Sequence, residues 1–228
     1  MDVSGIGAGA APPRAALFDL DGTLINSEPR SVAVWSKLLS ARGVPHDGTL
    51  LRAFMGRRGP DVLAERPDLF PGVSFDQLVA EMRVHMMDPD IPPVEQLPES
   101  VAFLHRLHAR GVPFALVTSA GRDWAEIALD QLGVLGMFAG LVTAGDVTVG
   151  KPDPEGYLSG AGILGHDPEH IVVFEDTPAG VRAGKSAGMR VVGITTTHPA
   201  DELTRADLVV DHLTEVDWPH VPRRHRSG

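Results

Sequence analysis

Cysteine is absent from the 228 residues, which excludes disulfides and thiolate chemistry and is consistent with a reducing compartment. No apolar run approaches the roughly 20 residues that a membrane-spanning helix requires. The stretch Met1 to Pro13 is rich in Gly, Ala and Pro but has neither a basic start nor an apolar centre, so it does not read as a secretion signal. These absences make a cytoplasmic protein without a membrane partner the expectation. Basic charge is scarce as well. Twenty Lys and Arg against 30 Asp and Glu leave a net charge of −10, which argues against broad nucleic-acid binding. The same field opposes a small anionic ligand. A site for one must therefore concentrate positive charge locally, through a metal or a few placed cations.

Apolar residues make up 43% of the chain and charged residues 22%, as in an ordinary soluble globular protein. The length suits one main domain carrying one sizeable insertion. Short apolar runs recur at Ala15 to Phe18, Val112 to Val117, Ile171 to Phe174, Val191 to Ile194 and Leu208 to Val210. Between them lie helical patterns, one with Val101, Leu104 and Leu107 on a single face, another from about Asp123 to Leu132. Such alternation predicts a parallel sheet covered by helices on both faces, a Rossmann-like α/β core. Residues 26–97 interrupt it with helical patterns, such as Val32, Trp35, Leu38 and Leu39, and no convincing strand. They leave through the Pro-rich segment Asp88 to Pro98, which reads as a hinge. The expected division is a flexible leader at 1–13, an α/β core at 14–25 and 98–216, a small all-helical insertion at 26–97, and a solvated tail at 217–228 whose Arg-Arg-His-Arg segment is its only basic feature.

The first apolar run ends in Asp19-Leu20-Asp21-Gly22-Thr23. Two carboxylates two residues apart beyond a strand tip can face one pocket while Gly22 permits the turn. Open α/β sheets place their ligands at this carboxyl edge. Charges so close raise one another's pKa unless a cation neutralises them. Thr118-Ser119 closes the second run, Lys151-Pro152 follows a Gly-containing loop, and Glu175-Asp176 closes the third. A shared sheet edge would bring a hydroxyl, an ammonium and a second acidic pair to Asp19. A hydroxyl and backbone amides can hold phosphoryl oxygens, a lysine offsets their charge, and the acids offer an oxygen-rich Mg²⁺ site.

In these four segments, in order, the chain resembles the haloacid dehalogenase-like phosphohydrolases, from Ala15 to about Val210. The segments Val117 to Arg122, Gly150 to Pro154 and Phe174 to Gly180 look most similar to sugar phosphatases of the glycerol-3-phosphatase and 2-deoxyglucose-6-phosphatase type. The resemblance implies Asp19 as nucleophile, Asp21 as general acid and base, Thr118 as phosphoryl holder, with Ser119 beside it, and Lys151 as neutralising cation. It implies Mg²⁺ on Asp19, the backbone carbonyl of Asp21, Asp176 and Glu175. It also makes residues 26–97 a cap that closes over a small phosphorylated metabolite, with Arg57 or Arg58 touching substrate; the alternative is two solvated surface arginines. Arg58 matches the cap motif better. Asn26 stands where many relatives carry aspartate. A monomer is the family default.

Rival readings weaken on particular residues. A β-phosphoglucomutase-like mutase would carry a cap histidine where this chain reads Glu28-Pro29-Arg30-Ser31-Val32. A receiver-like phospho-accepting module needs neither Asp21 nor a cap. A dehalogenase dispenses with Asp21 and Asp176, and phosphonate cleavage wants a cap lysine where only Lys37 is present. Gly160 to Gly165 has the glycine spacing of a dinucleotide loop but follows a helical pattern, not a strand. His105 and His108 have helical spacing and no third ligand, which suits a solvated face.

Overall fold

The computed structural model describes residues 12–223. The leader expected at 1–13 therefore falls almost wholly outside the described residues, as do 224–228 of the tail. In chain order the strands and helices are β1 (Ala15–Phe18), β2 (Ile25–Asn26), α1 (Glu28–Ala41), α2 (Gly48–Arg52), α3 (Gly59–Glu65), α4 (Phe75–His85) and β3 (Glu95–Gln96). There follow α5 (Pro98–Ala109), β4 (Phe114–Val117), α6 (Arg122–Gln131), β5 (Leu141–Val142), α7 (Glu155–Leu164), β6 (Ile171–Glu175), α8 (Pro178–Ser186), β7 (Arg190–Ile194) and β8 (Leu208–Val210).

Six strands form one parallel sheet in the order β5-β4-β1-β6-β7-β8. Every residue of β1, β4, β6 and β7 is buried, because helices cover both faces and a parallel strand has no solvent side. The period-2 alternation sorts β1 between two cores. Ala16 and Phe18 join Phe103, Leu104 and Phe114 on one face, while Ala15 and Leu17 join Tyr157, Val173 and Val181 on the other. Phe18 lies at the centre of the first core, stacked on Phe174 at 4.6 Å and edge-on to Phe114 at 5.8 Å. From β1 the chain builds β4 and β5 on one side, then returns to build β6, β7 and β8 on the other. This makes β1 the topological switch point, where an α/β sheet opens a crevice at its carboxyl edge.

Helices α1 to α4 fill the insertion and bury a core of their own, in which Trp35 stacks on Phe54 at 3.8 Å above Leu38, Leu39 and Leu78. Helix α4 starts on a capping box between Ser74 and Gln77. The expectation of an all-helical insertion needs one correction: β2 and β3 pair antiparallel at its neck, Ile25 opposite Gln96 and Asn26 opposite Glu95. Two-residue strands carry no readable period. The Pro-rich exit is tied to α1, since Arg30 donates to the carbonyls of Met86 and Pro92 and Lys37 pairs with Asp88 at 2.7 Å.

Three further features differ from the sequence reading or refine it. Strand β5 has only two residues and lies in the short apolar stretch Met137 to Val142, which Gly140 interrupts. Trp218 and Val221 are buried in the first core, so residues 217–223 pack onto the domain instead of extending from it. The glycines at 160 and 162 lie inside α7, where Gly160 lets the helix approach Leu17 and Val117. His105 and His108 are exposed on α5. Among the described residues no helix is long and apolar enough to cross a membrane.

Candidate active site

Asp19 follows β1, Thr118 follows β4, and Glu175 ends β6 with Asp176 next after it. The register places these tips side by side: Phe18 is opposite Leu116 on β4 and Phe174 on β6, so the next residue of β1 lies level with Val117 and Glu175. Lys151 arrives from the loop between β5 and α7. Its ammonium lies 2.5 Å from Asp19 Oδ1 and 2.5 Å from Glu175 Oε1, and it donates to the Val117 carbonyl at 3.1 Å. Asp19, Lys151, Glu175 and Asp176 are all buried.

Glu175 is saturated. Its Oε1 accepts from Lys151 and from the Tyr157 hydroxyl at 2.8 Å, and its Oε2 accepts from the amides of Asp176 and Thr177 and from the Thr177 hydroxyl. Asp176 accepts at Oδ2 from the Thr197 hydroxyl and at Oδ1, at 3.5 Å, from Thr23. Asp21 takes Ser27 Oγ at 2.5 Å and the Trp124 indole N–H at 3.3 Å, both on Oδ1. Among the described residues no donor meets its Oδ2. Gly22 makes this arrangement possible: its φ of +86° suits only glycine, and a Cβ there would overlap the Asp176 carboxylate.

The electrostatics follow from one cation among several acids. Burial pushes Asp19 up to about 8; Lys151 opposes this, and the carboxylates of Glu175 and Asp21 add to it. Burial, then Glu175 and Asp19, raise Asp176 well above the carboxylate range. Burial also raises Asp21, against the pull of Ser27 and Trp124. For Lys151, burial acts downward but is outweighed by Asp19 and Glu175, which keep it charged. One ammonium cannot offset the buried carboxylates facing it. Oxygens of Asp19, Glu175 and Asp176 lie within 4.8 Å of one another, and with both Glu175 oxygens engaged, Asp19 and Asp176 are the carboxylates left to face a hard cation such as Mg²⁺.

The residues expected at the site are thus brought together for Asp19, Lys151, Glu175 and Asp176, with Asp21 two residues beyond Asp19. Thr118, Ser119, Lys151 and Arg58 line one small cavity of about 20 Å³. Ser119 nevertheless donates to the Gly56 carbonyl of the insertion at 3.1 Å, Arg58 Nη1 donates to the carbonyls of Val147 and Thr148, and Arg57 pairs with Glu65. Sequence reasoning missed Tyr157, Thr197, Ser27 and Trp124. Tyr157 is the chain's only tyrosine and sits in an apolar helix, so it reads as core filler; its hydroxyl finds Glu175 only through the fold.

Comparison with known proteins agrees with the geometry. The haloacid dehalogenase-like hydrolase family model matches residues 13–188. A protein named validoxylamine A 7'-phosphate phosphatase, from Streptomyces hygroscopicus subsp. limoneus, is 46% identical over 208 residues, covering 91% of this chain and 98% of its own. Hexitol phosphatase A of Escherichia coli K12 is 34% identical over 202 residues, covering 88% and 91%. Among solved structures, a hydrolase from Pseudomonas syringae superposes with a TM-score of 0.76 at 26% identity over 88% of this chain and 94% of its own. The family match covers most of the chain and these relatives align over nearly their whole length: the protein is an enzyme of the haloacid dehalogenase-like hydrolase family.

Proposed function

We propose that the protein is a Mg²⁺-dependent phosphatase that hydrolyses small sugar or polyol phosphate monoesters through an aspartyl-phosphate on Asp19. The observation that carries this reading is the buried Asp19 carboxylate held on Lys151 at the sheet's switch point, with Asp176 beside it. Both relatives described above bear phosphatase names, one of them for hexitols.

In the first step Asp19 attacks phosphorus, an acyl-phosphate bond forms, and the bond from phosphorus to the ester oxygen breaks as Asp21 gives that oxygen a proton. In the second, Asp21 takes a proton from water, the water oxygen attacks phosphorus, and inorganic phosphate leaves Asp19 free. Oδ2 is the Asp21 atom left to exchange the proton, because Ser27 and Trp124 hold Oδ1. Lys151 and Thr118 face the phosphoryl oxygens. The helical insertion, as a cap, excludes water until the acyl phosphate has formed. Asp19, Asp176 and the backbone carbonyl of Asp21 would hold Mg²⁺, which when bound neutralises the acids and the transferring oxygens. Glu175, whose oxygens are taken, orients Lys151.

Inorganic phosphate release from a panel of hexitol, hexose and glycerol phosphates should require Mg²⁺ and vanish in EDTA. Equal release in EDTA would sink the metal assignment, and no release from any compound would sink the phosphatase reading. A second expectation concerns Asp21. Asp21→Asn should slow hydrolysis of alkyl phosphates by roughly 10²-fold or more, and Trp124→Phe should do so mildly. Because p-nitrophenolate leaves without protonation, the first step with p-nitrophenyl phosphate should be much less affected, as a pre-steady-state burst would reveal. Equal slowing of that first step for both leaving groups would remove the acid role from Asp21.

A further inference from the structure

The segment from Gly56 to Asp61 meets the core at three points. Ser119 donates to the Gly56 carbonyl at 3.1 Å. Arg58 Nη1 donates to the carbonyls of Val147 and Thr148 at 2.9 and 3.0 Å. The Gly150 amide donates to Asp61 Oδ2 at 3.1 Å. The two charged prongs are matched to what they grip: a guanidinium on carbonyl oxygens and a carboxylate on an amide proton. They also face each other, with Arg58 Nε 3.8 Å from Asp61 Oδ2. The approach is so close that a Cβ at position 150 would overlap both Asp61 Oδ2 and Arg58 Cδ. Position 150 immediately precedes Lys151, whose ammonium holds Asp19 and Glu175.

We propose that Arg58 and Asp61 form a two-pronged clamp on the loop 147–150, and that Asp61, acting through the Gly150 amide, is a positioning residue for Lys151. Seating of the insertion is thereby transmitted to the loop that delivers the lysine. Arg58 then serves mainly to hold the insertion on the core, since its Nη1 is already engaged by two carbonyls. The catalytic consequence rests on the phosphatase reading given above; the clamp itself does not.

The test uses Asp61→Ala, Asp61→Asn and Gly150→Ala with two unlike donors, p-nitrophenyl phosphate and a hexitol 6-phosphate. Losing one charge-assisted hydrogen bond should lower kcat/KM of Asp61→Ala about tenfold. The fall should be equal for both donors, because the defect lies in Lys151 and not in a substrate contact. Asp61→Asn, whose amide oxygen can still accept from Gly150, should recover most of it. Asp61→Ala combined with Gly150→Ala should be no worse than Gly150→Ala alone, because the Cβ at 150 already displaces Asp61 as well as Arg58. A loss confined to the hexitol phosphate would make Asp61 a substrate contact and overturn the proposal. Hydrogen exchange over 147–151 gives a reading independent of turnover: faster in Asp61→Ala, near wild type in Asp61→Asn. Unchanged exchange in Asp61→Ala overturns the clamp even if the wild type hydrolyses neither donor, an outcome that by itself counts only against the phosphatase reading.

Discussion

Asp19→Asn should reduce phosphate release by roughly four orders of magnitude or more, as loss of a nucleophile does in enzymes whose catalytic groups act as a unit. The amide matches the carboxylate in shape, and its oxygen can still accept from Lys151, so the site should keep its form while losing the anion proposed to attack phosphorus. Rapid quenching of the wild type during turnover should trap a phosphoryl adduct on Asp19, detectable by mass, and the variant should give none. Residual turnover above about 1% of wild type would mean that another group is the nucleophile. A stability measurement separates chemistry from misfolding. Asp19 is an acid whose folded pKa is raised to about 8, so in metal-free protein its ionisation costs stability progressively as pH climbs from the ordinary carboxylate range towards 8. Asparagine removes that cost. The metal-free variant should therefore melt no lower than wild type at pH 8, and its midpoint should depend less on pH between 5 and 8. A lower midpoint at pH 8 would show that the ionised carboxylate stabilises the fold.

Lys151→Ala should be damaging in two separable ways. The ammonium is the buried cation that Asp19 and Glu175 share, and removing one partner of a buried charge cluster typically costs about 3–5 kcal/mol. Catalytically it removes a fixed positive charge from beside the phosphoryl group, a loss of roughly 10³-fold. Lysine cannot be replaced by arginine here, because the planar fork does not fit a point between Asp19, Glu175 and the Val117 carbonyl. Lys151→Arg should thus recover less than a tenth of the activity. Measured thermal midpoints and kcat/KM decide the matter. A stable Lys151→Ala variant with near-normal turnover would show that the cluster does not depend on the lysine.

These effects fall on residues legible in the sequence, while their strength comes from partners that were not. Asp19, Lys151 and Asp176 announce themselves because each follows an apolar run or a glycine-marked loop. Tyr157, Thr197 and Trp124 carry no such signal. The Tyr157 hydroxyl reaches Glu175 across 18 residues of chain, and the Trp124 indole reaches Asp21 across 103. The ribbon of β2 and β3 and the two-residue β5 escaped notice because a strand of two residues has no alternation to detect.

What the sequence determined by itself was the alternation of buried strands and helices, the place of the helical insertion, and the acids, hydroxyl and lysine destined for one sheet edge. Local periodicity records burial, and burial of every strand residue requires a sheet covered on both faces. Only the tertiary structure decided that both Glu175 oxygens are occupied while no donor among the described residues meets Asp21 Oδ2, and that Arg58 and Asp61 grip the core loop before Lys151. Those outcomes depend on the register of neighbouring strands and on contacts between residues as many as 103 positions apart, which no local pattern encodes.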